Sequence, residues 1–263
     1  DVMFHLARWL TRHLNDPNLI LWLAKRSGEL HHRFIWLIEG ELERVSRLEQ
    51  ENRTAEIEAI RANASNAIPS PFMRILWRLL LTGQVKSPGH HLDLYRWKDR
   101  LKRDGLTATL RLELRELLKP TILLRKPFRW FNEDSDQADS PRRVRDLVDW
   151  ELVLATDHVH SLLPDLERSE NWQRALPELL DDFQHLLRDA LDLMRELGEA
   201  DDRNDRSFLH LPSISPHWQN RGFRDWVALV ELVRDAWLAV HKTDPKRARR
   251  IALDWFTMPY LTF

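Results

Sequence analysis

The side chains of this sequence best suited to chemistry are Asp157, His158 and His160. Imidazole and carboxylate both ligate first-row metals, so the D-H-x-H spacing raises a metal site, and behind it a metal-dependent hydrolase. On a helix of 3.6 residues per turn, however, His158 and His160 point about 200° apart. Only a strand would aim both rings the same way. The flanking segment reads as helix, so a histidine held at a helix interface is the expectation. His31-His32 and His90-His91 are adjacent pairs; neighbours in a helix diverge, His90-His91 follows Gly89 in a loop, and neither pair has an acid at ligand spacing. The carboxylate pairs Asp181-Asp182, Asp201-Asp202 and Asp134-x-Asp136 fall in a helix start or in polar loops. Acid–base work needs such a pair buried in a cleft. The sequence contains no G-x-S-x-G, P-loop, G-x-G-x-x-G or H-E-x-x-H motif. It therefore points to no catalytic residue, metal or cofactor, and the chain reads as a non-enzymatic segment.

Charge is distributed unevenly. Residues 74–129 hold 14 Arg/Lys and 5 Asp/Glu, while residues 177–205 hold 10 acids and 3 Arg. Within the first block, Arg96, Lys98, Arg100, Lys102 and Arg103 surround Trp97. Such a run could contact phosphates while the indole stacks on a base. The same spacing also suits an amphipathic helix with Trp97 and Leu101 turned to the core, and the two blocks could face each other or a second subunit. Net charge is −1, so nothing global favours nucleic acid or an anionic membrane. Nucleic-acid binding through residues 74–129 stands as the alternative function.

These side chains must be positioned by helices. Only 7 glycines occur, and 12 tryptophans are available as anchors for helices that carry 31% charged residues. Each buried Trp removes about 150–250 Å² from water. One pattern occurs twice: Trp9-Leu10-Thr11-Arg12-His13-Leu14-Asn15-Asp16-Pro17 and Trp237-Leu238-Ala239-Val240-His241-Lys242-Thr243-Asp244-Pro245 share W-L-x-x-H-x-N/T-D-P. A Trp-bearing run stops, the Asp caps, and Pro opens the next helix at the position where its missing N–H is harmless. His13 and His241 are read as caps on the last carbonyls of the preceding helix. The pattern specifies helix, tight turn, helix, and implies an all-α fold, an irregular α-solenoid or stacked helical-hairpin bundle.

Along the chain, helices are expected over residues 2–14, Pro17–Leu23, Glu29–Ala62 as one long rod, Phe72–Leu81, Asp93–Arg103, Leu106–Leu118, Pro177–Leu197 and Phe223–Val240, with a last one from Pro245. The second half of the long rod has a thin apolar stripe, suited to an outer helix or a partner. Pro120 and Pro127 should force an irregular or extended passage through Thr121–Leu124. Residues 147–163 alternate in part like a strand, but their length and neighbours favour helix. The acidic segment 132–141 divides an N-terminal array, 1–131, from a C-terminal one, 142–263. No run is long and apolar enough for a membrane span. Cysteine is absent, which excludes disulfides and is compatible with the cytoplasm, the expected location. The start at Asp1 and the apolar end read as a segment of a longer protein.

Leu211–Trp226, with its L-P-S-I-S-P-H-W-Q-N-R-G-F-R-D-W run, together with Trp255-Phe256, Pro259-Tyr260 and Thr262-Phe263, resembles helical regions of large bacterial anti-phage defence proteins that carry a sirtuin-type NAD-cleaving domain. The resemblance implies a sensor or scaffold that recognises a phage component and governs an effector elsewhere. No NAD-site residue carries over, because the glycine-rich nucleotide motif is missing. The expected function is a non-catalytic interaction module whose partner is a protein, another copy of itself or a phage component.

Overall fold

A computed structural model describes residues 2–26, 32–86, 94–127, 141–202 and 225–255, with Ser213, Ser215 and His217 between the last two. Among these residues the fold is mostly helical, with eleven α-helices and a two-stranded sheet. The chain divides into two compact units, residues 1–89 with 122–151, and residues 90–121 with 152–263. Apart from Pro141, the acidic segment 132–141 lies outside the described residues, as do His31, His90-His91 and most of the segment that resembles defence proteins.

The first unit opens with α1 (Val2–Leu10), a 3-10 turn (Thr11–His13) and α2 (Pro17–Ala24). Asp16 caps α2, its carboxylate accepting from the Asn18 N–H at 2.9 Å with Pro17 in the first turn. Leu10 and Phe34 form a small core with Leu19 and Leu37. The long rod expected from Glu29 to Ala62 is instead two helices, α3 (His32–Gln50) and α4 (Thr54–Asn63). Asn52 adopts the left-handed conformation at φ 52°. The Arg53 N–H bonds to Leu48 O and the Asn52 N–H to Glu49 O, which together terminate α3 as a Schellman turn. The thin stripe is thereby satisfied within the chain, because α4 folds back and Val45, Leu48, Ile57 and Ile68 bury one another. Ser70 and Pro71 then open α5 (Pro71–Leu81), the Ser70 hydroxyl accepting from the Met73 N–H. The α5 residue Trp77 is fully buried and donates its indole N–H to Leu14 O at 2.7 Å, locking α5 to the turn before α2.

The expectation of helix over 147–163 holds from Val159 onward and is corrected before it. Asp149–Leu154 is strand β2, paired with β1 (Pro120–Arg125), where the sequence left irregular or extended backbone open and the extended one forms. Val148, Trp150, Leu152 and Leu154 are all buried while their neighbours are only half-buried, the period-two pattern of a strand. Tertiary pairing overrode segment length as the guide. Lys119 O accepts from the Ala155 N–H at one end and Arg125 pairs with Glu151 at the other, so the strands run antiparallel. On the far side of β1, Val85 forms a parallel bridge to Ile122.

The second unit contains α6 (Leu94–Asp104), α7 (Ala108–Leu117), α8 (Val159–Glu167), α9 (Glu170–Glu196), α10 (Ala228–Thr243) and α11 (Pro245–Trp255). Helix α9 starts seven residues before the expected Pro177 and runs through it. A proline inside a helix costs about 3 kcal/mol. Burial of Trp172, Ala175 and Leu176, which extend the stripe of Leu179, Leu180 and Phe183, offsets that cost. The helix ends as expected at Gly198, where φ of +78° suits glycine and the Glu199 N–H bonds to Met194 O. Helix α9 packs most extensively against α10.

Candidate functional site

Asp157, His158 and His160 sit at the junction of β2 and α8. Asp157 and His158 are exposed, and His158 takes a left-handed conformation at φ 66° as the residue before α8. Its carbonyl accepts from the N–H and the hydroxyl of Ser161. His160 lies within α8, its Nε2 3.9 Å from Asp225. The segment is neither wholly strand nor wholly helix. Among the described residues no group of three or more His, Asp or Glu is arranged to hold a metal ion.

The basic segment forms α6, and its charges are largely engaged. Lys98 Nζ lies 3.2 Å from Asp165, Arg100 holds Glu113 through two bonds, and Arg103 holds Asp104 at 2.8 Å. Arg103 keeps the Asp104 carboxyl below its usual range, chiefly through the hydrogen bond. Arg96 also has an interaction partner. Trp97 is 0% exposed, donates to Leu110 O at 2.8 Å and meets Trp172 edge-on, so it has no face free for a base. On α7, Arg111 and Arg115 both reach Asp182 of α9, at 2.6 and 2.5 Å. Asp182 is only 5% exposed. The basic and acidic blocks of the sequence therefore meet here, across the α7–α9 contact.

Both copies of the repeated motif lead from one helix into the next, the first through a 3-10 turn (Thr11–His13) and the second directly from α10, which stays helical to Thr243, with one change to the expected chemistry. Neither histidine caps a carbonyl. The His13 ring packs on Trp9 at 4.6 Å between centroids, and the His241 ring stacks on Trp237 at 5.2 Å with an 11° tilt. A four-residue helical spacing puts both rings on one face, and the hydroxyls do the capping. Thr11 donates to Arg8 O, and Thr243 to Ala239 O and Val240 O. Asp244 caps α11 through the Arg247 N–H, as Asp16 caps α2. The copies differ in their surroundings. Trp237 donates its indole N–H to Ala248 O and meets Trp255, whereas Trp9 is 52% exposed.

Trp9 borders a cleft of about 670 Å³ in the first unit, lined also by His5, Arg8, Thr11 and Arg12 from α1 and its 3-10 turn, Glu41 and Arg44 from α3, and the 60–67 region. Arg44 is doubly bonded to Glu41, which raises its already high pKa. Arg8 and Arg12 are exposed and close no ion pair among the described residues. Sequence reasoning did not single them out, since neither belongs to a basic run. The available signal was their four-residue spacing on either side of Trp9, where the repeated motif begins.

Three further aromatic side chains are exposed. Trp36 on α3 is 72% exposed, Trp22 on α2 is half-exposed beneath the Arg26 guanidinium, and Tyr95 on α6 bonds Ser161. The twelve tryptophans are thus not uniformly anchors. Among the described residues no helix is long and apolar enough to cross a membrane. No protein-family model matches the sequence, and no curated protein or solved structure is significantly similar to it.

Proposed function

We propose that this chain is a helical interaction module without chemistry of its own, which recognises a protein through the exposed indole of Trp36 on α3. The observation that carries this reading is Trp36, a large apolar side chain left 72% exposed beside a core able to bury Trp77 completely. Trp22 adds a second exposed indole in the same unit. Tryptophan is the residue type most enriched at binding hot spots, and an exposed indole gains most from being covered. The partner argued for is a second copy of the chain, because a net charge of −1 sets almost no long-range repulsion against self-association. The resemblance to helical regions of anti-phage defence proteins supports placing the module in such a protein, where its assembly would regulate an effector domain outside these residues.

Sedimentation velocity over a concentration series tests the reading. The expected result is a reversible dimer whose dissociation constant rises about tenfold or more in Trp36→Ala, an energy of about 1.4 kcal/mol. A chain that stays monomeric up to about 100 µM, where even weak specific pairs associate, would overturn it.

A further inference from the structure

We propose that the cleft between α1, the turn after it, α3 and α4 binds a free mononucleotide, with its phosphate on Arg8 and Arg12 and its base against Trp9. The inference is independent of Trp36 and Trp22. At about 670 Å³ the cleft falls within the range of small-molecule sites. Its charge is unbalanced in a specific way. Three arginines face one carboxylate, Glu41, and that carboxylate is committed to Arg44. Arg8 on α1 and Arg12 in the turn after it are left as two exposed like charges four residues apart, with no ion-pair partner among the described residues. Each presents five N–H donors in a planar fork, the geometry that matches phosphate oxygens.

The indole supplies the second half of the site. In the other copy of the motif the equivalent Trp237 is tied to Ala248 O and packed on Trp255. Trp9 keeps the motif's histidine beside its ring, tilted by 50°, but makes neither of those contacts; it borders the cleft and half of its surface is exposed. The same motif thus serves as a clamp once and as an open platform once. Asn63 completes the polar edge. Its Nδ2 donates to Ala59 O, which leaves its Oδ1 to accept from an exocyclic amine. Ala64 and Ala67 keep that wall low. A free nucleotide suits this site better than a nucleic-acid strand, because Glu41 sits in the cleft and a strand needs a continuous cationic track.

Titration calorimetry on the full chain tests this with adenosine monophosphate, adenosine, ribose 5-phosphate, inorganic phosphate and a 5′-phosphorylated oligodeoxyadenylate. The expected result is that adenosine monophosphate binds about tenfold or more tightly than adenosine, ribose 5-phosphate or phosphate. The double variant Arg8→Gln/Arg12→Gln, both sites being exposed, should keep the wild-type circular dichroism melt and lose about tenfold or more in affinity. Trp9→Leu should bring the nucleotide down to the level of ribose 5-phosphate. The proposal is overturned if no nucleotide binds, if the double variant binds unchanged, or if ribose 5-phosphate matches the nucleotide on the wild-type chain. An oligonucleotide held about a hundredfold more tightly than the monomer would equally overturn it, in favour of a strand.

Discussion

Three indole N–H groups each donate to a backbone carbonyl on a neighbouring segment: Trp77 to Leu14, Trp97 to Leu110 and Trp237 to Ala248. A Trp placed this way fills volume and satisfies a carbonyl together, so its loss is felt twice. Trp97→Ala should destabilise the fold by about 3–5 kcal/mol in chemical denaturation, whereas Lys102→Ala on the exposed face of α6 should stay within about 0.5 kcal/mol. Asp182 is buried between two guanidinium groups that keep part of their own exposure. Asp182→Ala should therefore cost about 1–3 kcal/mol, less than a fully enclosed pair would, because Arg111 and Arg115 can turn to water. Glu49 shows how charge couples to pH. Its hydrogen bond to Arg74 holds its carboxyl below the ordinary range. A lowered folded-state pKa stabilises above the unfolded-state value and is lost as pH falls through the folded one. The melting temperature should accordingly drop through the acid range below about pH 4.5, and Glu49→Gln should flatten part of that slope. At this scale the sequence was legible where backbone chemistry decided the outcome, as with Asp16, Pro17, Asp244 and Pro245. It was not legible where direction decided. Nothing in W-x-x-x-H tells whether an imidazole turns toward a carbonyl or lies on the indole four residues back.

Among the elements, the misread cases have one cause: a local signal outweighed by packing at a distance. The break at Asn52 carried a cue, a residue tolerant of the left-handed region, but Asn is also common inside exposed helices. What decides for the turn is the mutual burial of Val45, Leu48 and Ile57, visible only once α4 folds back. The opposite happens at Pro177, where a strong breaker is overridden by the stripe on both sides of it. In β2, alternation was present in Val148, Trp150, Leu152 and Leu154, but its partner Pro120–Arg125 is distant in sequence. The Asn52 turn can be tested directly. Asn52→Gly should be neutral or stabilising by up to about 1 kcal/mol, and Asn52→Val should cost about 1–2 kcal/mol, measured by urea unfolding. Equal effects from the two would mean that the left-handed turn does not limit this hairpin.

For the whole molecule, composition carried the helical class while leaving the destination of the charges open. The 74–129 block looks like a phosphate-binding surface as a string, and much of it is spent inside the fold on Glu49, Asp165, Glu113, Asp182 and Glu151. Duplex or single-stranded DNA should accordingly bind with a shallow salt dependence, no steeper than about one or two phosphates' worth, in a fluorescence anisotropy titration. A steep slope, lowered by Arg100→Ala and Lys102→Ala, would restore that block as a binding surface.

The division of the chain also bears on its synthesis. Each unit is assembled from two separate stretches, with crossings at residues 89–90, 121–122 and 151–152. The ribosome therefore cannot release the amino-terminal unit early, because its second stretch leaves the exit tunnel only after the whole first stretch of the other unit has emerged. At about 5–20 residues per second, helices α1 to α5 wait several seconds for residues 122–151, the second stretch of their unit. A stop codon or protease cut within residues 132–141 would strand both halves without their closing strands, so a nascent-chain arrest series should gain protease resistance only once residue 151 is clear of the tunnel.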